Sequence, residues 1–198
     1  MHGIICKTVE TFLVSRHGER RWDEILRAAG TDVRSFETVR VYDAALLPRI
    51  LAAASGTLGV PVRLLLEDMG HWLCVHPPLE PVRRLFRFSG TTFEEMLFGL
   101  HEVRARARMA LPDLDMPALS LADRGGGTYR VISRWHQPGA AAVVMGILRA
   151  MADDYGALAL VTFERGAQEG ALWRECISVQ LLAAEHQPPR SFSLGGAA

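Results

Sequence analysis

The sequence has no surplus of charge of either sign: 22 Lys and Arg stand against 22 Asp and Glu, for a formal net charge of zero. A nucleic-acid surface needs a basic surplus or stripe, so that class of partner is excluded. Arginines do gather at positions 83, 84, 87, 104, 106 and 108, but at helical spacing among acidic and apolar residues, as on a solvated helix face. Cysteine is scarce. Cys6, Cys74 and Cys176 are far apart, odd in number and form no CxxC, which leaves no disulfide framework and no cysteine-built zinc site. No run approaches the ~18 apolar residues of a membrane helix. The opening MHGIICKTVETFLVS lacks a charged start and a cleavage site, so a cytoplasmic chain with reduced thiols is expected, without a membrane partner.

Motifs of catalysis are also missing. There is no nucleophile elbow and no HExxH, and "RGGG" precedes a strand rather than a helix and lacks the lysine of a P-loop, so it reads as a hairpin turn. His71 and His76 lie five apart, more than one helical turn, which is poor spacing for a chelating pair. His17 precedes a glycine at a helix end, where a cation suits the helix dipole. No enzyme is expected; a sensor or interaction module is.

What is present is a chain of 198 residues, 49% of them hydrophobic, enough for one globular domain or a domain with two lobes. Its first part reads as helices. Ile4, Ile5, Thr8, Phe12 and Leu13 recur with a helical period up to Gly18, and Trp22, Ile25, Leu26 and Ala29 repeat the pattern up to Gly30. A third helix follows Asp43, with its start nearer Pro48, and a fourth runs from Pro61 to the Pro77–Pro78 break. The stretch "TTFEEMLFGLHEVRARARM" predicts one helix over Thr91–Met109. Thr91 and Glu94 form its capping box, and Phe93, Met96, Leu97, Leu100, Val103 and Ala107 form its apolar stripe. After Pro112 the pattern changes. "ALSLAD" and "TYRVIS" alternate as a hairpin, "GAAAVVMGILRAMADDYG" is a buried helix, and "ALALVTFERG" and "LWRECISVQLL" are two more strands. The class is α+β: a helical N-terminal lobe and an antiparallel sheet of about four strands with packed helices. The boundaries expected are a single domain over 1–186, divided into lobes 1–62 and 63–186, and a flexible tail over 187–198, where QPPRSFSLGGAA is composed like a disordered end.

The start, with its "GERRWDEILRAAG", together with "FSGTTFEEMLFGLHEV", "LPDLDMPAL" and "GAAAVVMGILRAMADDYG", resembles the haem nitric-oxide/oxygen-binding (H-NOX) domains over about residues 1–182. That family includes the sensory domain of soluble guanylate cyclase and stand-alone bacterial proteins. The resemblance implies a haem b cofactor, gas sensing of nitric oxide or carbon monoxide, and a histidine kinase or cyclic-nucleotide signalling enzyme as partner. In the family, the helix matching Thr91–Met109 carries the proximal histidine, a loop proline lies close to the porphyrin, and a Tyr-x-Ser-x-Arg motif clamps the propionates.

Counting back from Pro112 and Pro117 places Arg104 at the ligand position, because the family's LDxLH reads LHEVR here. His101 stands where aspartate is usual and is the candidate displaced axial ligand. Anchored on Gly139 and Gly146, the clamp falls on Ser133, Trp135 and Gln137; a shifted register would recruit Tyr129, Ser133 and Arg134. Ile5, Val9, Leu73 and Val143 fall at the distal gas site and are all apolar. A guanidinium stays protonated and offers iron no lone pair. His101 precedes Arg104 by about 300° of helix rotation and roughly 4.5 Å of rise. The alternative expectation is therefore a haem-free regulatory or protein-interaction module of the same fold, its pocket filled or holding another small molecule.

Overall fold

The computed structural model describes residues 2–192. The chain folds as two compact units, one taking residues up to Leu65 with Asp113–Asp115, the other the remainder.

In the first unit, α1 (Gly3–His17) and α2 (Glu19–Ala28) meet at Gly18, whose φ of 81° only glycine adopts readily. His2 caps α1, its Nδ1 accepting from the Ile4 amide at 3.3 Å. Gly3 has no room for a side chain, since a Cβ would lie 2.0 Å from the Glu37 carbonyl oxygen. The buried Glu10 ties the following loop to α1. It accepts from the Phe36 amide at 2.7 Å and the Ser35 hydroxyl at 2.9 Å, and pairs with Lys7 at 2.6 Å. Phe36 stacks edge-on against Tyr42 and tilts toward Trp22. The third helix, α3 (Leu46–Leu58), starts closer to Pro48 than to Asp43, and Arg49 on it donates to the Ala29 and Gly30 carbonyls at the end of α2.

Helix α4 (Val62–Val75) belongs to the second unit from residue 66 onward, and that unit also holds α5 (Glu80–Arg87), α6 (Phe93–Phe98), α7 (Val103–Ala110) and α8 (Ala140–Tyr155). Its sheet holds β1 (Ala118–Gly125), β2 (Thr128–Trp135), β3 (Leu158–Glu169) and β4 (Leu172–Ala183), all antiparallel in the order β1-β2-β4-β3. The α+β class is as expected. The hairpin turn needs its glycines: Gly125, Gly126 and Gly127 all have positive φ. Helix α8 is buried on nearly every side and forms the centre of the core with Met96, Leu97, Leu100, Val131 and Ile177. Helices α4 and α8 touch backbone to backbone: a Cβ on Gly70 would lie 2.0 Å from the Val143 carbonyl oxygen, and one on Gly146 1.9 Å from that of Glu67.

Two expectations are corrected here. The helix over Thr91–Met109 is broken by a 3-10 segment, Gly99–Glu102, between α6 and α7. Gly99 is a weak helix former, and its Cα sits where a Cβ would strike Ser89 at 2.6 Å. The capping box is formed by Thr92 and Glu95, not Thr91 and Glu94, because Glu94 is drawn off to the Tyr129 hydroxyl. The stripe from Phe93 to Ala107 is nonetheless fully buried.

Second, Arg83 and Arg87, read as part of a solvated face, are buried against Asp154. Of the tail expected over 187–198, residues 187–192 are hydrogen-bonded to α5 and the end of α8; residues 193–198 lie outside the described ones.

Candidate functional site

The segment running from α6 through its 3-10 turn into α7 presents two different sides. Leu97, Leu100 and Val103 face the core. His101 faces solvent, with 65% of its side chain exposed; its Nδ1 lies 2.9 Å from the Phe98 carbonyl and its Nε2 3.8 Å from Glu102. Arg104, one turn on, is half-buried. Its Nε is shut off from solvent and has no hydrogen-bond partner among the described residues. The two residues therefore do not converge on one ligand, and the 3-10 turn is what holds His101 outward.

Strand β2 divides the other candidates by simple alternation. Tyr129, Val131 and Ser133 are buried on its inner face, while Arg130 and Arg134 lie on the other. Arg134 is exposed and donates to the Ser120 hydroxyl at 3.5 Å. Tyr129, Ser133 and Arg134 thus do not form a clamp: a one-residue step along a strand reverses the face. Tyr129 is engaged elsewhere. Its hydroxyl donates to Glu94 and its ring meets Phe98 edge-on at 5.9 Å. The bond to the Glu94 carboxylate, helped by burial, pushes the phenol up to about 12. Pro117 stands immediately before β1.

Ser133 is 1% exposed, and its hydroxyl finds no partner among the described residues. Across the sheet its register partner is Glu175 on β4. Glu175 is buried, and its carboxylate accepts from the Gly139 amide and the Ala141 amide, each at 3.0 Å. It therefore holds the first turn of α8, where free N–H groups and the helix dipole attract an anion. The sequence reading missed Glu175. Its only signal was an acidic residue at an inward position of an alternating strand.

Of the distal candidates, Ile5 and Val9 belong to the first unit, where Val9 is core. Leu73 and Val143 belong to the second and pack at the margin of its core. Among the described residues no group of His, Cys, Asp and Glu is placed to hold a metal ion. No single described helix is long and apolar enough to cross a membrane.

The family model described as haem-NO-binding matches residues 2–161. The chain belongs to the haem-NO-binding family. The soluble guanylate cyclase gcy-31 of Caenorhabditis elegans is 24% identical over 118 residues, which is 60% of this chain and 17% of that protein. The chain thus spans less than a fifth of that relative. A point mutant of the T. tengcongensis H-NOX protein superimposes with a TM-score of 0.75 at 16% identity, over 93% of this chain and 99% of that one. An oxygen-binding H-NOX domain related to soluble guanylate cyclases, solved as its oxygen complex, gives 0.67 at 15% identity, over 96% and 100%. The fold is that of H-NOX domains.

The residues of this haem-NO-binding domain do not fit a haem held by an axial histidine and a Tyr-x-Ser-x-Arg clamp. Arg104 offers no lone pair. His101 is turned to solvent. Beside the clamp position Ser133, the chain supplies a buried carboxylate of its own, Glu175, and a second carboxylate there would meet like charge.

Proposed function

We propose that this chain is a regulatory H-NOX domain that controls a partner protein and does so without a histidine-ligated haem. The observation that carries the reading is Arg104. A guanidinium Nε falls where the resemblance expects the axial ligand, and it is buried without an acceptor among the described residues. A buried donor left unpaired costs ~1–3 kcal/mol, more for a charged group, so such a group points to a ligand or a conformation that supplies the acceptor. Arg104 is answered by a small molecule bearing a carboxylate or another anionic oxygen, and a guanidinium favours such oxygens through paired hydrogen bonds. The partner, by family resemblance, is a histidine kinase or a cyclic-nucleotide enzyme. A ligand shifts such a domain only through different affinities for its two states.

Family membership favours a second reading, a haem-based sensor of nitric oxide or carbon monoxide with His101 as a displaced ligand. The apolar Ile5, Val9, Leu73 and Val143 offer no hydrogen bond to bound dioxygen. Absorption spectra after haem reconstitution separate the two. For the wild type and His101→Ala we expect no Soret band that survives gel filtration. A band that shifts with nitric oxide and disappears in His101→Ala would establish the haem sensor and overturn the haem-free reading.

A further inference from the structure

The end of the described chain returns across the second unit and is held by an assembly that the ligand site does not use. The Gly156 carbonyl, just past α8, accepts from the His186 amide at 2.8 Å and the Gln187 amide at 3.0 Å. The Arg190 amide donates to the Asp154 carbonyl at 3.0 Å, and Arg83 Nη2 donates to the Ser191 carbonyl at 3.0 Å. The Phe192 ring lies under two guanidinium groups, 5.6 Å from that of Arg83 and 4.9 Å from that of Arg87. At Gly156 a Cβ would lie 2.0 Å from the Gln187 carbonyl oxygen, so the close passage of this segment requires the glycine.

Beneath it sits Asp154, 2% exposed. Three arginines approach its carboxylate: Arg83 at 2.8 Å, Arg87 at 3.5 Å and Arg190 at 3.9 Å. Glu80, at 3.0 Å from Arg83, is the other acidic partner. Among the described residues, three positive charges thus share two negative ones. The excess of positive charge shows at Arg87, whose Nη1 is buried without a hydrogen-bond partner among the described residues and whose Nε meets Asp154 Oδ2 as an ion pair at 3.5 Å. Aromatic rings offset part of it, with Arg87 stacked 4.0 Å above Tyr155 and 4.9 Å from Phe192. Buried polar groups are almost always fully bonded, and a cluster that is not is poised rather than maximally stable.

We infer that residues 187–192 are a releasable strap. It is docked on α5 and α8 through the Arg83–Arg87–Asp154 clasp, and its release is a conformational change built into this domain. The clasp couples the strap to the helices because Asp154 and Tyr155 are the last residues of α8, while Arg83 and Arg87 are on α5. A shift between those two helices breaks the shared carboxylate geometry and frees the strap. Conversely, removing the strap uncovers two arginines with one buried carboxylate between them. This inference rests on contacts within the second unit and stands whether or not Arg104 binds an anion.

Hydrogen exchange read by NMR on the full chain tests it, with Phe192→Ala and Gly156→Ala as independent ways to undock the strap. In the wild type the amides of His186, Gln187 and Arg190 should be protected. In both variants they should exchange at least tenfold faster, while the amides in the middle of α8 keep their protection. Asp154→Asn should free the same three amides and also loosen α5. Wild-type amides exchanging at the rate of an unstructured peptide would overturn the docked strap. Strap amides unchanged in Phe192→Ala, or unchanged in Asp154→Asn, would overturn the clasp as its lock. If Gly156→Ala also loosens the middle of α8, Phe192→Ala alone decides.

Discussion

Replacing Ser133 with alanine removes a single oxygen from the interior, and the structure gives that change an unusual sign. The hydroxyl is buried between the inward-facing Val131 on its own strand, Leu119 opposite on β1 and Glu175 opposite on β4, and it has no hydrogen-bond partner among the described residues. An unsatisfied buried hydroxyl costs ~1–3 kcal/mol. Against this, the vacated space of roughly 15 Å³ costs about 0.4 kcal/mol at ~24 cal/mol per Å³. The expected net effect of Ser133→Ala is therefore a gain of about 1 kcal/mol or more, visible as a rise in Tm of ~2–4 °C for a chain of this size. Urea unfolding followed by circular dichroism measures it. The midpoint should rise while the slope stays constant, since the surface exposed on unfolding is nearly the same. A lower midpoint would mean that the hydroxyl is bonded in the folded protein, for instance to a buried water.

Arg104→His restores the lone pair at the family's ligand position, and after haem reconstitution it should show a Soret band stronger than the wild type's; no gain would locate the incompatibility in the clamp region around Glu175. Gly146→Ala places a Cβ 1.9 Å from the Glu67 carbonyl oxygen, which cannot yield as a flexible side chain would. Overpacking of this kind costs ~1–3 kcal/mol, and thermal unfolding should show the loss, with Gly56→Ala, where the space is open, as the mild control. Tyr129 is raised to about 12 by the Glu94 bond and then burial, and Tyr155 to about 12 chiefly by burial. Their stabilisation is intact below the ordinary phenol value of ~10 and is lost as pH rises toward 12, because the unfolded chain releases those protons first. Phenolate absorbance should lag in the folded protein over this window, and unfolding midpoints should fall through it.

Much of the second unit was legible because burial imposes a period. The stripe Phe93, Met96, Leu97, Leu100, Val103 and Ala107 is apolar at helical spacing and is buried as that spacing requires. The break at Gly99–Glu102 was not legible, since it answers to Ser89, a contact that periodicity does not record. Arg83 and Arg87 looked solvated because nothing beside them in sequence is a buried acid. Their partner Asp154 is 71 residues from Arg83. The same distance problem hid Glu175, which is 36 residues from the Gly139 amide it holds. Alternation along β2 did contain the separation of Arg134 from Tyr129 and Ser133, for those faces follow from counting. Arg104's significance came from family resemblance, and its orphaned Nε from the structure.

At Gly70 and Gly146 the backbones of α4 and α8 approach with no side chain of the glycine between them. Side chains between helices act as soft washers, changing rotamer to absorb a small displacement; here there is nothing to compress. At these two contacts a displacement of α4 is met by the backbone of α8, about 12 Å along that helix from Asp154. That far end of α8 is where the clasp over residues 187–192 is fastened.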